Sequence, residues 1–230
     1  MQRCRRKTFW VQIPGGALLL TKDKRLTNPD KAHWLLISDR SGSMASIARD
    51  MEGGIAQMLS DQKAAPGEAT FEHVDFDNEI VQRIPPTNIQ DVDSISILPR
   101  GGTALLDAIG KSVTATGEYL ASLPEAERPG KVLVTIVTDG HENSSKEWTN
   151  ETVKALITEQ QEKYGWVFSY LGANQDAFAV AGQWGVAKGA TMTYMASAAG
   201  TRSMTKSVSA ATTAFRGGGS YDLVDSQDSV

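Results

Sequence analysis

Three short segments carry the oxygen-bearing side chains that could do chemistry together. The first contains Asp39, Ser41 and Ser43, directly after an apolar run. The second contains Thr103, which follows two glycines, and the third contains Asp139, which ends the most apolar segment of the chain. Two carboxylates and three hydroxyls form a hard, oxygen-only ligand set. Such a set favours Mg²⁺, Mn²⁺ or Ca²⁺ over Zn²⁺ or Cu²⁺.

These segments can share one site only if the fold brings them to the same edge. Side chains two positions apart in an extended segment point the same way, so Asp39, Ser41 and Ser43 are expected to converge. In an open parallel sheet the carboxyl ends of the strands meet at one edge, and ligands bind in the crevice there. We therefore expect Thr103 and Asp139 to join the first loop in a single cation site. The ordinary alternative for the serines and the threonine is capping of the helices that follow.

The elements that must position these loops alternate between strand-like and helix-like patterns from residue 33 onward. This alternation predicts an α/β fold with an open, mostly parallel, doubly wound sheet. In chain order the pattern predicts a strand at 33–39, a helix around 47–59, a hairpin over 69–84, a helix over 104–121, a strand at 131–139, a helix over 151–163, a strand at 165–173, a helix near 175–184, a short strand near 190–195 and a last helix around 204–215.

The hairpin is expected to add one antiparallel strand at the edge of the sheet. Residues 69–76 alternate in polarity, and a short turn leads into a partner strand at 79–84, where Pro85-Pro86 should begin a loop. Asp75 and Asp77 could suggest a second cation site. A solvated hairpin turn is the favoured interpretation of these two acids.

Length and composition predict one folded domain with tails. The chain has 230 residues, of which 40% are hydrophobic and 22% charged, values typical of globular proteins. We expect a loosely ordered basic arm at 1–32, the folded domain at 33–216 and a flexible tail at 217–230. No apolar stretch is long enough to span a membrane. The single cysteine, Cys4, fits a reducing compartment, so a cytoplasmic location is expected.

The basic arm is the part of the chain with an unusual charge balance. Residues 1–31 hold eight basic and two acidic residues, a net charge of +6, so the rest of the chain carries −10 out of the total of −4. The acidic remainder argues against nucleic acid as the main partner of the folded domain. For the arm itself three alternatives stay open: a targeting segment, a nucleic-acid contact, or part of a domain with an upstream start.

Three motifs, in order along the chain, resemble one known family. They are Asp-x-Ser-x-Ser beginning at Asp39, Gly-Gly-Thr-Ala-Leu-Leu-Asp-Ala-Ile at 101–109, and Thr-Asp-Gly at 138–140. Together they resemble the von Willebrand factor A (VWA) domain and its metal-ion-dependent adhesion site, over roughly residues 33–195. The later stretch at 171–186 is similar to small stand-alone prokaryotic and phage members.

The resemblance implies a ligand set and a mode of action. Asp39, Ser41 and Ser43 correspond to the ligands of the first loop, Thr103 to a ligand that depends on conformation, and Asp139 to a second carboxylate that can act through water. Two carboxylates roughly neutralise a divalent ion, which leaves one position open to an Asp or Glu of a protein partner. The implied function is a cation-dependent protein-binding module, acting alone or in a larger assembly, with Mg²⁺ as the first choice of ion and no membrane partner. The acid at 107, in the following helix, is expected to be structural.

Two other functions remain as alternatives. In a hydrolase the cation would activate water, with Glu142 or His141 as the base. The sequence has no Gly-x-Ser-x-Gly elbow and no phosphate-binding glycine-rich loop, which argues against an enzyme. A bystander loop is also the favoured interpretation of residues 141–143. The other alternative is a metal-free structural or scaffold protein. His33 and His73 lie inside predicted strands and are expected to be structural.

Overall fold

The computed structural model describes residues 10–12, 18–20 and 27–223. Most of the predicted basic arm and the last seven residues of the predicted tail lie outside the described residues. Within the arm, strands β1 (Trp10–Gln12) and β2 (Leu18–Leu20) pair in antiparallel fashion.

Six strands and five helices build the body of the protein. The strands are β3 (Asn28–Asp39), β4 (Glu68–Phe76), β5 (Ile80–Asn88), β6 (Pro129–Thr138), β7 (Val167–Ala173) and β8 (Thr191–Tyr194). The helices are α1 (Ala48–Ala64), α2 (Leu105–Ser122), α3 (Asn150–Tyr164), α4 (Ala177–Gln183) and α5 (Ala198–Arg216). The predicted order of elements is thus confirmed.

The six strands form one sheet in the order β5-β4-β3-β6-β7-β8. Every neighbouring pair is parallel except β4 and β5, which form the antiparallel edge hairpin. Helices α1 and α5 pack together on one face, and α2 and α3 pack together on the other. The fold is therefore the predicted open, mostly parallel, doubly wound α/β sheet.

The centre of the sheet is buried on both faces. Leu35, Leu36 and Ile37 of β3 are fully buried, although alternate residues of a strand point to opposite faces. On one face His33 contacts Tyr119 of α2, with ring centroids 6.3 Å apart. A parallel strand covered by helices on both sides needs apolar residues at successive positions. This requirement explains why the apolar runs of the sequence identified the two innermost strands, β3 and β6.

The structure differs from the predicted boundaries at three places. Strand β3 begins at Asn28, five residues before the predicted start. Strand β5 continues through Pro85-Pro86, because an edge strand tolerates residues that lack an N–H donor. In the segment predicted to be a flexible tail, Tyr221 is buried, and its hydroxyl lies 3.1 Å from Ser169 Oγ. Tyr221 also packs on Phe215 of α5, with ring centroids 6.4 Å apart, and the Leu223 N–H donates to the Gly189 carbonyl at 2.7 Å, so this part of the segment is docked on the domain.

None of the helices in the described part of the chain is long and apolar enough to cross a membrane.

Candidate metal-binding site

Three loops meet at the carboxyl edge of the sheet and supply the polar side chains of the candidate site. Asp39 is the last residue of β3, and Asp139 directly follows β6, the neighbouring strand. Thr103 lies two residues before α2. The expected meeting of strand ends at one edge is what brings these distant segments together.

A chain of hydrogen bonds runs through the first loop to the second carboxylate. The Ser41 backbone N–H donates to Asp39 Oδ1 at 2.6 Å. The Ser41 and Ser43 hydroxyl oxygens lie 2.9 Å apart, and the Ser43 hydroxyl donates to Asp139 Oδ1 at 2.6 Å. We expected an extended loop, but residues 42–46 form a 3-10 turn. The turn still brings the two serine hydroxyls to the same side.

Thr103 joins this cluster through the glycine that follows Asp139. A Cβ built on Gly140 would lie 2.6 Å from Thr103 Oγ1 and 3.3 Å from Asp39 Oδ2. The missing side chain of Gly140 thus leaves the room in which Thr103 and the first carboxylate approach each other. The structure brings all five predicted residues together: Asp39, Ser41, Ser43, Thr103 and Asp139.

Thr103 is held by its backbone and does not cap the helix. Its N–H donates to Asn143 Oδ1 at 2.9 Å, and its carbonyl accepts from the Asn143 N–H at 3.0 Å. Gly101 adopts a left-handed φ of +69°, which shapes the turn before it. The N-cap residue of α2 is Ala104, which has no capping side chain. The Thr103 hydroxyl is therefore available to the site.

The two carboxylates experience an environment that disfavours their charge. Burial raises the pKa of Asp39, and the nearby charge of Asp139 raises it further, against the lowering effect of hydrogen bonds from Thr138 and Ser41. Burial also raises the pKa of Asp139. Among residues 27–223 neither carboxylate forms an ion pair with an arginine, lysine or histidine. A bound cation would offset both effects.

The donor set fits a hard divalent cation. Two carboxylates and three hydroxyls are the oxygen ligands that Mg²⁺ and Ca²⁺ prefer. The described residues contain no group of three or more His, Cys, Asp or Glu side chains arranged to hold a metal. The cluster of Asp39 and Asp139 has only two such side chains, and hydroxyls make up the rest of its ligands.

The loop after Asp139 is fixed in place by two acids, whose role in the loop the sequence did not reveal. The Glu142 carboxylate accepts hydrogen bonds from the backbone N–H of Leu106 in the first turn of α2 and from Ser144 and Ser145 in its own loop, at 2.8–2.9 Å. It also accepts one from the Ser145 hydroxyl at 2.7 Å. Asp107 accepts three backbone N–H groups from residues 146–148 at 2.8–3.0 Å. Asp107 is thus structural, as the resemblance implied.

The sequence also did not indicate a buried group of charges that lies behind the first loop. Arg40, between two of the predicted ligands, is almost fully buried, and its guanidinium lies 3.4 Å from Asp75 and 3.3 Å from Asp77. Arg83 and Arg100 pair with the same two aspartates at 2.6 Å each. The expected solvated turn is therefore wrong, since both aspartates are buried and paired with arginines. Because both aspartates are paired with arginines, they do not form a second cation site.

No protein-family model and no curated protein matches the sequence. Solved structures do match in fold. The chain is similar to proximal thread matrix protein 1 from the mussel byssus (14% identity, TM-score 0.57, covering 80% of this chain and 46% of that one). It is similar to a von Willebrand factor type A protein from Catenulispora acidiphila (12%, 0.55, 82% and 43%). It is also similar to the vWF domain of the type V pili tip protein Mfa5 from Porphyromonas gingivalis (12%, 0.52, 78% and 95%).

These similarities define the class of fold. The chain has the α/β fold of VWA domain proteins, with the same mostly parallel sheet flanked by helices. It spans less than half the length of the mussel and Catenulispora proteins. At 12–14% identity the likeness concerns the fold alone.

Proposed function

We propose that this protein is a protein-binding module that depends on a divalent cation. The observation that carries the proposal is the pair of carboxylates Asp39 and Asp139, which lack ion-pair partners among the described residues. Asp39 accepts from the Ser41 backbone N–H, and the Ser41 hydroxyl contacts the Ser43 hydroxyl, which donates to Asp139. Bringing two carboxylates together in a partly buried cluster is unfavourable unless a positive charge balances them. A divalent ion supplies that balance.

The five clustered residues would hold the cation at the carboxyl edge of the sheet. Asp39 and Asp139 supply negative charge, and Ser41, Ser43 and Thr103 supply neutral oxygens. When bound, Mg²⁺, or alternatively Mn²⁺ or Ca²⁺, offers an electrophilic position that an Asp or Glu of a partner protein can occupy. Because three of the protein's five ligands are neutral, the cation stays electrophilic enough to accept the partner's carboxylate.

The surface around the site supports a protein as the ligand. Met195, directly after β8, is 72% exposed, and Phe178, in the first turn of α4, is 41% exposed. Leu98, in the segment that leads to Thr103, is 67% exposed. Met195 and Phe178 lie in segments that follow the ends of β8 and β7 at the edge that holds the site, and Leu98 lies five residues before Thr103. Apolar contacts around a central polar anchor are typical of protein interfaces. The neighbours named as a pili tip protein and a thread matrix protein fit such a role.

The hydrolase alternative is opposed by the loop at 141–143. A general base needs a free acceptor, but the Glu142 carboxylate already accepts four hydrogen bonds that fix the loop and the start of α2. His141 is exposed to solvent. No specific contact of the described residues favours the metal-free scaffold role. Calorimetric titration with divalent cations tests that role directly. The cytoplasmic location stays a proposal that depends on the single cysteine.

The proposal is tested by calorimetric titration of Mg²⁺, Mn²⁺ and Ca²⁺ into the native protein and a variant that combines Asp39→Ala and Asp139→Ala. We expect saturable binding by the native protein and none by the variant. A matched control combines Asp91→Ala and Asp93→Ala, which removes the same charge from exposed positions and should bind like the native protein. The metal-dependent function is refuted if the native protein binds none of the three ions. A pull-down of partners with and without chelator then tests the cation bridge.

A further inference from the structure

Tyr194 has a buried hydroxyl without a hydrogen-bond partner. It is the last residue of β8, and its side chain is 6% exposed. Within residues 27–223 no atom accepts from or donates to its hydroxyl. A buried polar group without a partner is unfavourable in the folded protein, so such groups are rare and point to something that completes them.

The position of this hydroxyl relates it to the candidate cation site. Tyr194 pairs with Ala173 at the carboxyl end of β7, and β7 lies beside β6, which leads into Asp139. Burial raises the pKa of Tyr194, and the nearby charges of Asp139 and Asp39 raise it further. Tyr194 therefore lies at the same edge of the sheet as both carboxylates, and its hydroxyl bonds to neither of them.

Two other buried tyrosines show that an unpartnered hydroxyl is not the rule in this sheet. The Tyr170 hydroxyl lies 3.5 Å from Gln175 Oε1, and the Tyr221 hydroxyl lies 3.1 Å from Ser169 Oγ. Tyr194 is set apart from them by its unpaired hydroxyl at the edge that carries the candidate ligands. A hydroxyl at the same edge as two carboxylates is suited to donate to an oxygen that lies between them.

We propose that Tyr194 is a positioning residue of the cation site, whose hydroxyl donates a hydrogen bond to a water molecule held by the bound cation. The inference rests on the proposed function, since it requires that a cation binds. Divalent cations such as Mg²⁺ keep several waters in protein sites, and partners that hydrogen-bond to the ligands orient them. Cation binding then supplies the acceptor that the Tyr194 hydroxyl lacks in the described structure.

The test compares Tyr194→Phe with Tyr221→Phe, which removes a hydroxyl that has a partner. Without cation, Tyr194→Phe should unfold at the same temperature as the native protein or higher, because it removes an unsatisfied group. Its affinity for Mg²⁺ and Mn²⁺, measured by calorimetry, should fall about tenfold. Tyr221→Phe should show the reverse, with a lower melting temperature and unchanged affinity.

The outcomes separate this inference from the proposed function. Unchanged Mg²⁺ affinity in Tyr194→Phe, with normal binding by the native protein, overturns the role of Tyr194 alone. A melting temperature that falls in Tyr194→Phe without cation also overturns it, because the hydroxyl would then have a partner in the metal-free protein. If the native protein binds no cation, the proposed function fails and this inference fails with it.

Discussion

Arg40 and Asp75 form a buried ion pair behind the first loop of the candidate site, with Arg40 Nε 3.4 Å from Asp75 Oδ1. Both side chains are almost completely excluded from solvent. Arg40 stands between Asp39 and Ser41 in the sequence, so the pair anchors the backbone that presents these two predicted ligands. The Arg40 carbonyl also accepts from the Arg100 N–H at 2.7 Å, which ties the loop to the segment that carries Thr103.

Replacing Arg40 with Leu should destabilise the protein strongly. The change leaves Asp75 and Asp77 with less positive charge around them in a buried place, and breaking such pairs lowers the free energy of unfolding by about 3 kcal/mol. Urea unfolding measures the loss. The matched control is Arg83→Leu, because Arg83 pairs with the same Asp75 but is 40% exposed, so its loss should be below about 1 kcal/mol. Equal losses in the two variants would contradict the anchoring role of Arg40.

Asp107→Ala should loosen the loop at 146–148. Burial raises the pKa of Asp107, but three backbone hydrogen bonds outweigh burial and hold it below its ordinary value. Without the carboxylate these N–H groups lose their acceptor, so their hydrogen exchange should accelerate at least about tenfold and the free energy of unfolding should fall by about 2 kcal/mol. The exposed Glu118→Ala, also on α2, is the control and should leave the exchange of this loop unchanged. Slow exchange in Asp107→Ala would show that other contacts fix the loop.

His73 should make the protein less stable as the pH falls from about 6.5 to 4. Burial, with a contribution from the charge of Arg83, lowers the pKa of His73 to about 4. In this window the unfolded chain binds a proton that the folded protein excludes. The free energy of unfolding therefore decreases by up to about 3 kcal/mol as the pH decreases from about 6.5 to 4. Urea unfolding at several pH values measures the slope. His73→Gln should flatten it, whereas His141→Gln, at an exposed position, should keep the native slope. A native slope in His73→Gln would assign the effect to other groups.

Local rules explain how the sequence predicts that Asp39 and Asp139 lie at the same edge of the sheet. An apolar run ending in an acid places Asp39 and Asp139 at strand ends, and parallel strands bring such ends to one edge. The partners of Asp75 and Asp77 could not be predicted in the same way. Arg40 is more than 30 residues away from both, and its contact with them depends on which strand lies beside β3. The acids therefore resembled ordinary turn residues.

The roles of Tyr194 and Glu142 could not be predicted from the sequence for a related reason. Nothing in a short β-strand indicates that its final tyrosine lacks a partner, since this depends on which residues of other elements surround it in the folded protein. Likewise, Glu142 lies close to Asp139 in the sequence, and this position alone makes it a candidate for the general base of a hydrolase. Only its contact with Leu106, 36 residues away, shows that its carboxylate holds the loop. Where the local sequence pattern allows several roles for a charged residue, its long-range contacts decide between them.

Gly140→Ala should weaken cation binding by displacing Thr103. The added Cβ would lie 2.6 Å from Thr103 Oγ1, closer than such atoms pack, and 3.3 Å from Asp39 Oδ2. Thr103 must therefore move away from the first carboxylate, and we expect the affinity for Mg²⁺ to fall at least about tenfold, with a loss of stability of about 1–3 kcal/mol from overpacking. Calorimetry and thermal unfolding measure the two effects.

The control for this change is Gly53→Ala, in α1, where an added Cβ meets nothing within 4 Å. Alanine is favoured over glycine inside a helix, so this variant should gain up to about 1 kcal/mol and bind Mg²⁺ like the native protein. Normal Mg²⁺ affinity in a folded Gly140→Ala variant would mean that the cation does not use the position of the Thr103 hydroxyl. In that case the ligand set would shrink to the first loop and Asp139.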